Sequence, residues 1–307
     1  MPQKPNINLF IVGAAKSGTT SLYNYLNQHP DVYFPNVKEP NYYAAIESED
    51  SLVYKKPKEN VFYHNKIIKD QDNYFSLYKN SYKYKIIGDA SPSYLWDTNS
   101  SQKIYSDFPE SKILIILRNP INRAFSHYLM NIKSGVEKED DFFKALKRDE
   151  NTHPKVWGDG KVMLYKELGM YYPQVNSYYD VFDKENIKVI IYEEFFEDTK
   201  KGMSSVLEFL EISDFNKNEV DFDKVYNVYK SPNGKLSKTL LRHRTKFNFI
   251  RRFTPNRLKY FLQNKILFKN SSKPKMGNEA YSYLLRAFQQ DIMNLEGLLN
   301  RDLDGWK

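Results

Sequence analysis

The chain has 307 residues, 27% charged and 41% hydrophobic, a balance that suits a globular core and excludes disorder and collagen-like repetition. Its apolar runs fall far short of the ~20 residues of a membrane-spanning helix. The first residues enter a strand pattern with no apolar stretch and small-residue cleavage site before it, so a cytoplasmic protein without a transmembrane segment is expected. With no cysteine, thiol catalysis, disulfides and thiolate metal sites are excluded.

The formal charge of +8 is unevenly placed. Between Val225 and Asn278 there are fourteen Lys and Arg and no acid, whereas the rest of the chain has fewer basic than acidic residues. Such a segment attracts an anionic cofactor, an acidic glycan, a phospholipid surface or nucleic acid alike. Within it Leu258, Phe261, Leu262 and Ile266 recur at helical spacing, with Arg257, Lys259 and Lys265 between them. This amphipathic helix is expected to pack on its own domain, with peripheral membrane contact through 225–278 left open.

In chain order, Leu9 to Val12 is a short apolar strand closed by Gly13, and Ser21 to Gln28 carries Leu22, Tyr25 and Leu26 at helical spacing. Further strands are expected at Tyr84 to Asp89, Lys112 to Leu117 and Ile187 to Tyr192, each followed by a helical stretch. The third strand runs into Arg118-Asn119-Pro120, where Asn119 suits an N-cap and Pro120 the first helical position. Residues Pro35 to Asn80 are irregular and rich in Tyr and Lys, and Ala280 to Leu299 is the longest helical run. Near-continuous apolar strands alternating with helices argue for one α/β domain over residues 1–307, its parallel sheet covered on both faces and its C-terminal part helical.

Gly13-Ala14-Ala15-Lys16-Ser17-Gly18-Thr19-Thr20-Ser21 joins the first strand to the first helix. Small residues let the main chain curl around a ligand, and the N–H groups that open the helix then point at it, an arrangement suited to phosphate or sulfate. The ATP-binding loop is written G-x-x-x-x-G-K-[ST], whereas Lys16 here precedes Gly18 by two residues, which argues against a nucleotide triphosphatase.

The turn resembles the 5′-phosphosulfate loop of the sulfotransferases that use 3′-phosphoadenosine 5′-phosphosulfate (PAPS), Lys-[Ser/Thr]-Gly-Thr-[Thr/Ser], at every position from Lys16 to Thr20. Arg118 at a strand end, followed eight residues on by Ser126, reproduces the pair that holds the 3′-phosphate in that family. The resemblance implies a P-loop-kinase-like three-layer α/β/α fold. It also implies cofactor contacts from Ala15, Lys16, Ser17, Gly18, Thr19, Thr20, Ser21, Arg118 and Ser126. Lys269 to Met276 resembles the family's basic loop before the last long helix, which adds Lys273 and Lys275 but lacks that loop's cysteine pair.

Val37-Lys38-Glu39-Pro40-Asn41-Tyr42-Tyr43 resembles the segment of the heparan-type glycan sulfotransferases in which Glu is the base. By that resemblance Glu39 is the candidate base, Lys16 assists the departing phosphate, and Lys38, Asn41 and Tyr42 face the acceptor. Asn41 stands where the family has His, and Ala90, in Gly88 to Tyr94, where it has Lys. Of the five histidines, none has the context of a base.

The implied reaction moves a sulfuryl group from PAPS to a hydroxyl or amine, on a glycan in the first instance, and releases adenosine 3′,5′-bisphosphate. A lipid, small alcohol or peptide tyrosine is the alternative acceptor. No clustered His or carboxylate pattern suits zinc and no Walker-type Asp suits magnesium, so no metal is expected. The readings from other classes are a P-loop nucleotide kinase and a basic nucleic-acid or lipid-binding module; intact Lys16, Arg118 and Ser126 argue against the second.

Overall fold

A computed structural model describes residues 4–46, 62–157, 163–215, 222, 230–232, 237, 268–270 and 273–307. Its centre is a sheet of five strands, β1 (Leu9–Gly13), β2 (Val32–Tyr33), β3 (Ile86–Asp89), β4 (Lys112–Leu117) and β5 (Ile187–Ile191), in the order β2-β3-β1-β4-β5. Every neighbouring pair runs parallel. Two expected boundaries move: β3 begins at Ile86, and Tyr192 opens a helix instead of ending β5. The sequence reading missed β2, whose two residues are too few to form an apolar run.

The side-chain period of two divides each strand between two cores. Phe10, Val12, Ile113, Ile115, Leu117, Ile187 and Ile191 enter one, and Leu9, Ile11, Leu114, Ile116 and Ile190 the other. The first core is closed by residues of α4 (Asn99–Asp107), α5 (Pro120–Ser134), α6 (Phe142–Asn151) and α7 (Tyr171–Tyr179), and of the C-terminal helix α10 (Asn278–Leu299). The second is closed by α1 (Thr19–Leu26) and α9 (Thr199–Phe209), through Leu22, Leu26, Met203, Val206 and Leu207. The result is the expected three-layer α/β/α arrangement. Of the short helices, α2 (Gln71–Ser76) lies within the segment expected to be irregular, and α3 (Ser93–Trp96) and α8 (Tyr192–Glu197) follow β3 and β5.

A small antiparallel pair, β6 (Lys230–Pro232) with β7 (Phe268–Asn270), stands apart from the main sheet. Most of the basic segment and the amphipathic helix expected at Leu258 to Ile266 lie outside the described residues. No described helix is long and apolar enough to cross a membrane.

All five strands point the same way, so their C-terminal ends share one edge, where the turns into the helices gather. Helix α5 starts there as expected: Asn119 Oδ1 accepts the N–H of Ile121 at 3.0 Å and of Asn122 at 3.2 Å, and Pro120 follows the cap. Gly135, with φ of 74°, ends it in the left-handed region that glycine adopts without strain. Replacing Asn119 by Ala is expected to cost about 1 kcal/mol of stability. A lower urea midpoint at unchanged slope checks this, and an unchanged midpoint would show that the cap contributes nothing.

Candidate active site

The turn between β1 and α1 is held open by its backbone. Lys16 has φ of 71° and Gly18 of 96°. A side chain on Gly18 would also bring its Cβ within 2.7 Å of the Phe196 ring and 3.2 Å of Tyr192, so both conformation and space demand glycine. Gly18 O takes the N–H groups of Ser21 at 2.9 Å and Leu22 at 3.1 Å. Among the described residues no acceptor meets the N–H groups of Gly18, Thr19 and Thr20, which open the helix. Ser17, Thr19 and Ser21 are buried, while Ala15 and Thr20 are half-buried.

Arg118 leaves the end of β4 toward this turn. Its Nη1 donates to Lys16 O at 3.4 Å, its own carbonyl accepts the Tyr171 hydroxyl at 2.9 Å, and its guanidinium lies 4.4 Å from the centre of the Tyr192 ring. Tyr192, read from sequence as packing, therefore also carries a cation on its face. Arg118 Nε is buried with no partner among the described residues. Lys16 Nζ touches Met130 Sδ at 3.3 Å, and its pKa is lowered to about 8, first by burial, then by Arg118 and Lys133. Glu39 pulls the other way, which places that carboxylate within electrostatic range of the turn.

Two further groups of α5, Arg123 and His127, bear on this cluster, and Ser126 lies between them in sequence. Ser126 is half-buried beside His127. Arg123 is fully buried, donates to Tyr165 O, and has Nε and Nη1 without partners among the described residues; burial pushes its pKa down to about 10. His127 has a buried, unpartnered Nδ1, and burial together with Arg123 and Lys16 holds the ring neutral. Sequence reasoning missed both, although Arg123 lies in the same helical turns as Ser126. From the C-terminal loop, Lys273 stands over Phe125 at 5.5 Å and its pKa is lowered, first by burial and then by Arg118. Lys275 is exposed and makes no contact with this cluster among the described residues.

The segment after β2 brings in Glu39. Lys38 is buried and its Nζ donates to Glu39 Oε1 at 2.5 Å, while also facing the Tyr23 ring at 5.7 Å. Asn41 is buried too: its Nδ2 donates to Glu39 O at 2.7 Å, Asn65 Oδ1 at 3.0 Å and Lys66 O at 3.2 Å, and its Oδ1 accepts from Ser93 Oγ at 2.6 Å. Lys38 and Asn41 thus spend their side chains internally. Tyr42, half-buried and stacked on Tyr74 at 4.3 Å, is the one of the three expected acceptor residues with its ring partly open.

Asp89, the last residue of β3, fixes this segment from below. Its Oδ2 accepts the hydroxyls of Tyr74 and Tyr94, both at 2.8 Å, and its Oδ1 accepts Ser91 Oγ–H at 2.7 Å. Burial raises its carboxyl to about 6 against the pull of those three donors. The same Ser91 oxygen accepts the Asn41 N–H at 3.2 Å, and the same Tyr94 oxygen accepts the Tyr42 N–H at 3.0 Å. One buried carboxylate therefore orients the two hydroxyls that hold the main chain just after Glu39. An acid closing an apolar strand was the available sequence signal.

Away from this edge, the carboxylates of Glu296, Asp302 and Asp304 cluster closely enough for a metal, but Lys307 Nζ lies 2.8 Å from Glu296 and 2.7 Å from Asp304. A cation already occupies the cluster.

A glycine turn with open N–H groups, a group of cations that make no ion pair among the described residues, and the Glu39 carboxylate within electrostatic range of Lys16 make an arrangement suited to an anionic group-transfer donor. The sulfotransferase family model matches residues 8–217, and the chain belongs to that family. Carbohydrate sulfotransferase 15 of Rattus norvegicus is 26% identical over 245 residues, 67% of this chain and 44% of the relative. Heparan sulfate glucosamine 3-O-sulfotransferase 6 of Homo sapiens is 25% identical over 159 residues, 51% of this chain and 40% of the relative. The chain thus spans less than half the length of these curated relatives. A solved structure, the sulfotransferase from Alicyclobacillus acidocaldarius, superposes with a TM-score of 0.70 at 27% identity and covers 98% of this chain and 99% of that one.

The depressed Lys16 pKa makes anion binding proton-linked. Burial and the neighbouring cations push the Lys16 amine down from 10.5 to about 8, and a polyanion beside it would raise it again. Binding of a polyanion such as pyrophosphate is therefore expected to take up protons between those limits and to weaken as pH rises through them. Calorimetry at pH 8.5 in buffers of different ionisation heat counts the protons; tight binding with no uptake would remove Lys16 from the anion's surroundings.

Proposed function

We propose that this chain transfers a sulfuryl group from PAPS to a hydroxyl or amine of a glycan and releases adenosine 3′,5′-bisphosphate. The observation that carries the reading is the convergence of Lys16, Arg118, Arg123 and Lys273 on the open turn, with Glu39 within electrostatic range of Lys16. The N–H groups of the turn and Lys16 receive the 5′-phosphosulfate. Arg118 and Ser126 receive the 3′-phosphate, with Lys273 alongside.

Glu39 takes the proton of the acceptor hydroxyl as the new O–S bond forms. Charge then grows on the oxygen between sulfur and the 5′-phosphate, where Lys16 and the N–H dipoles of the turn would stabilise it. The ion pair with Lys38 and the Asp89 hydroxyl network hold the Glu39 segment in place for this. A glycan acceptor is favoured by the relatives, which are named for carbohydrate and heparan sulfate sulfotransfer.

Adenosine 3′,5′-bisphosphate at 100 times its dissociation constant is expected to stabilise the chain by about 2.7 kcal/mol. AMP, ADP and magnesium ATP at equal concentration and fixed salt are expected to stabilise it less. Preference for magnesium ATP would replace the reading with a phosphotransferase. With labelled PAPS and a screen of glycans, Glu39→Gln is expected to lose about 10²- to 10⁴-fold in kcat while retaining bisphosphate affinity. Full turnover in that variant would remove Glu39 as the base.

A further inference from the structure

Glu39 has a second ionisable neighbour that the motif comparison does not anticipate. His64 Nε2 lies 3.5 Å from Glu39 Oε1, the oxygen that also takes the Lys38 amine. The approach is built by the main chain. Tyr63 N–H donates to Asn36 O at 2.7 Å, Lys38 N–H to Tyr63 O at 2.9 Å, Lys66 N–H to Glu39 O at 2.9 Å and Ile68 N–H to Pro40 O at 3.0 Å. Asn41 adds its side chain, donating to Asn65 Oδ1 and Lys66 O on the far side of His64. The histidine is thus flanked by anchored residues, and Asn41, standing where the heparan-type segment has His, clamps the strip that supplies another.

We infer that His64 is a further catalytic residue, paired with Glu39 as the relay that carries the acceptor's proton to solvent. The inference rests on the sulfuryl-transfer reading above. Glu39 is mostly buried, with 16% of its side chain exposed, whereas His64 is 59% exposed, so the imidazole links an enclosed carboxylate to water. Partial burial lowers the His64 pKa against the pull of Glu39, with Lys38 and Lys16 adding to the fall, which favours the neutral ring that can accept a proton. Among the described residues Glu39 Oε2 meets no hydrogen-bonding partner, which leaves it for the acceptor.

The proton balance closes. The acceptor O–H proton passes to Glu39 as its oxygen bonds to sulfur, and the bridging S–O bond breaks with its electron pair retained by the 5′-phosphate. Glu39 then returns to the carboxylate: its carboxyl turns the protonated oxygen to His64 Nε2, and the imidazolium so formed releases a ring proton to water. Nothing is oxidised or reduced.

Two measurements on the full chain test this separately. In the first, NMR follows the His64 ring through a pH titration, with His64→Asn used for assignment. Glu39→Gln is expected to move the His64 midpoint downward because the carboxylate that raises it is gone; an unmoved midpoint would overturn the pairing, whatever the enzyme's activity. In the second, His64→Asn is expected to lower kcat by about 10²-fold with KM and bisphosphate stabilisation unchanged. The acid limb of the pH–rate profile should disappear, and added imidazole should restore part of the rate. Full activity with the profile unaltered would overturn the relay even if the wild type transfers sulfuryl groups. A wild type that transfers none from PAPS would overturn the parent reading, and the relay with it.

Discussion

Like charges are forced together at the C-terminal edge of the sheet. Lys16, Arg118 and Arg123 approach one another closely enough that each cation's field bears on a neighbour, and among the described residues no carboxylate lies within ion-pair distance of any of the three. Burial adds to the repulsion by removing water that would screen it. Such a cluster opposes folding, and it persists because the packing of α5 and the β1 turn fixes it. A polyanion bound there would relieve the cost, so the strain that weakens the fold would favour capture of the proposed donor.

Two backbone features make the cluster attainable. Gly18 lets the chain pass against the Tyr192 and Phe196 rings with its N–H groups left without an acceptor among the described residues, and Asn119 starts α5 immediately after Arg118. Glu193 Oε1 accepts the Asn119 N–H at 3.1 Å, so the helix after β5 braces the turn after β4. Tyr171, its N–H held by buried Asp291 at 2.7 Å, reaches Arg118 O from the far layer. Each cation is positioned from more than one element.

The architecture was legible where its cause is local. Strands such as Ile113 to Leu117 announce themselves because both faces are covered, and the turn from Lys16 to Thr20 is read in a single stretch of chain. Val32–Tyr33 is not, since two residues carry no pattern and the strand exists only through its pairing with Ile86 and Ile87. The candidate site divides the same way. Glu39 and Lys38 are adjacent, and their pairing follows from the segment that contains them. Asp89 depends on hydroxyls from Tyr74 and Tyr94, and His64 on a strip of main chain 25 residues beyond Glu39, so neither role is written in its own neighbourhood. Arg123 was hidden differently: on an amphipathic helix a lone Arg normally points to water, and only the packing of Tyr165 shows that this one does not.

The two halves of the site are tied by a close contact between neighbouring strands. Because β3 lies next to β1, the helix that follows Asp89 packs directly on the strand that feeds the turn, and a Cβ on Gly13 would fall 2.5 Å from Leu95. Tyr94, one residue earlier, donates its hydroxyl to Asp89 and accepts the Tyr42 N–H, while its carbonyl takes the Tyr178 hydroxyl at 3.0 Å from α7. The main chain behind Glu39 and the main chain behind Lys16 therefore rest on the same pair of residues, Tyr94 and Leu95. The base proposed at Glu39 would gain from this arrangement, because the main chain behind it and the main chain behind Lys16 pack on adjacent residues. Glycine at position 13 is what permits the contact.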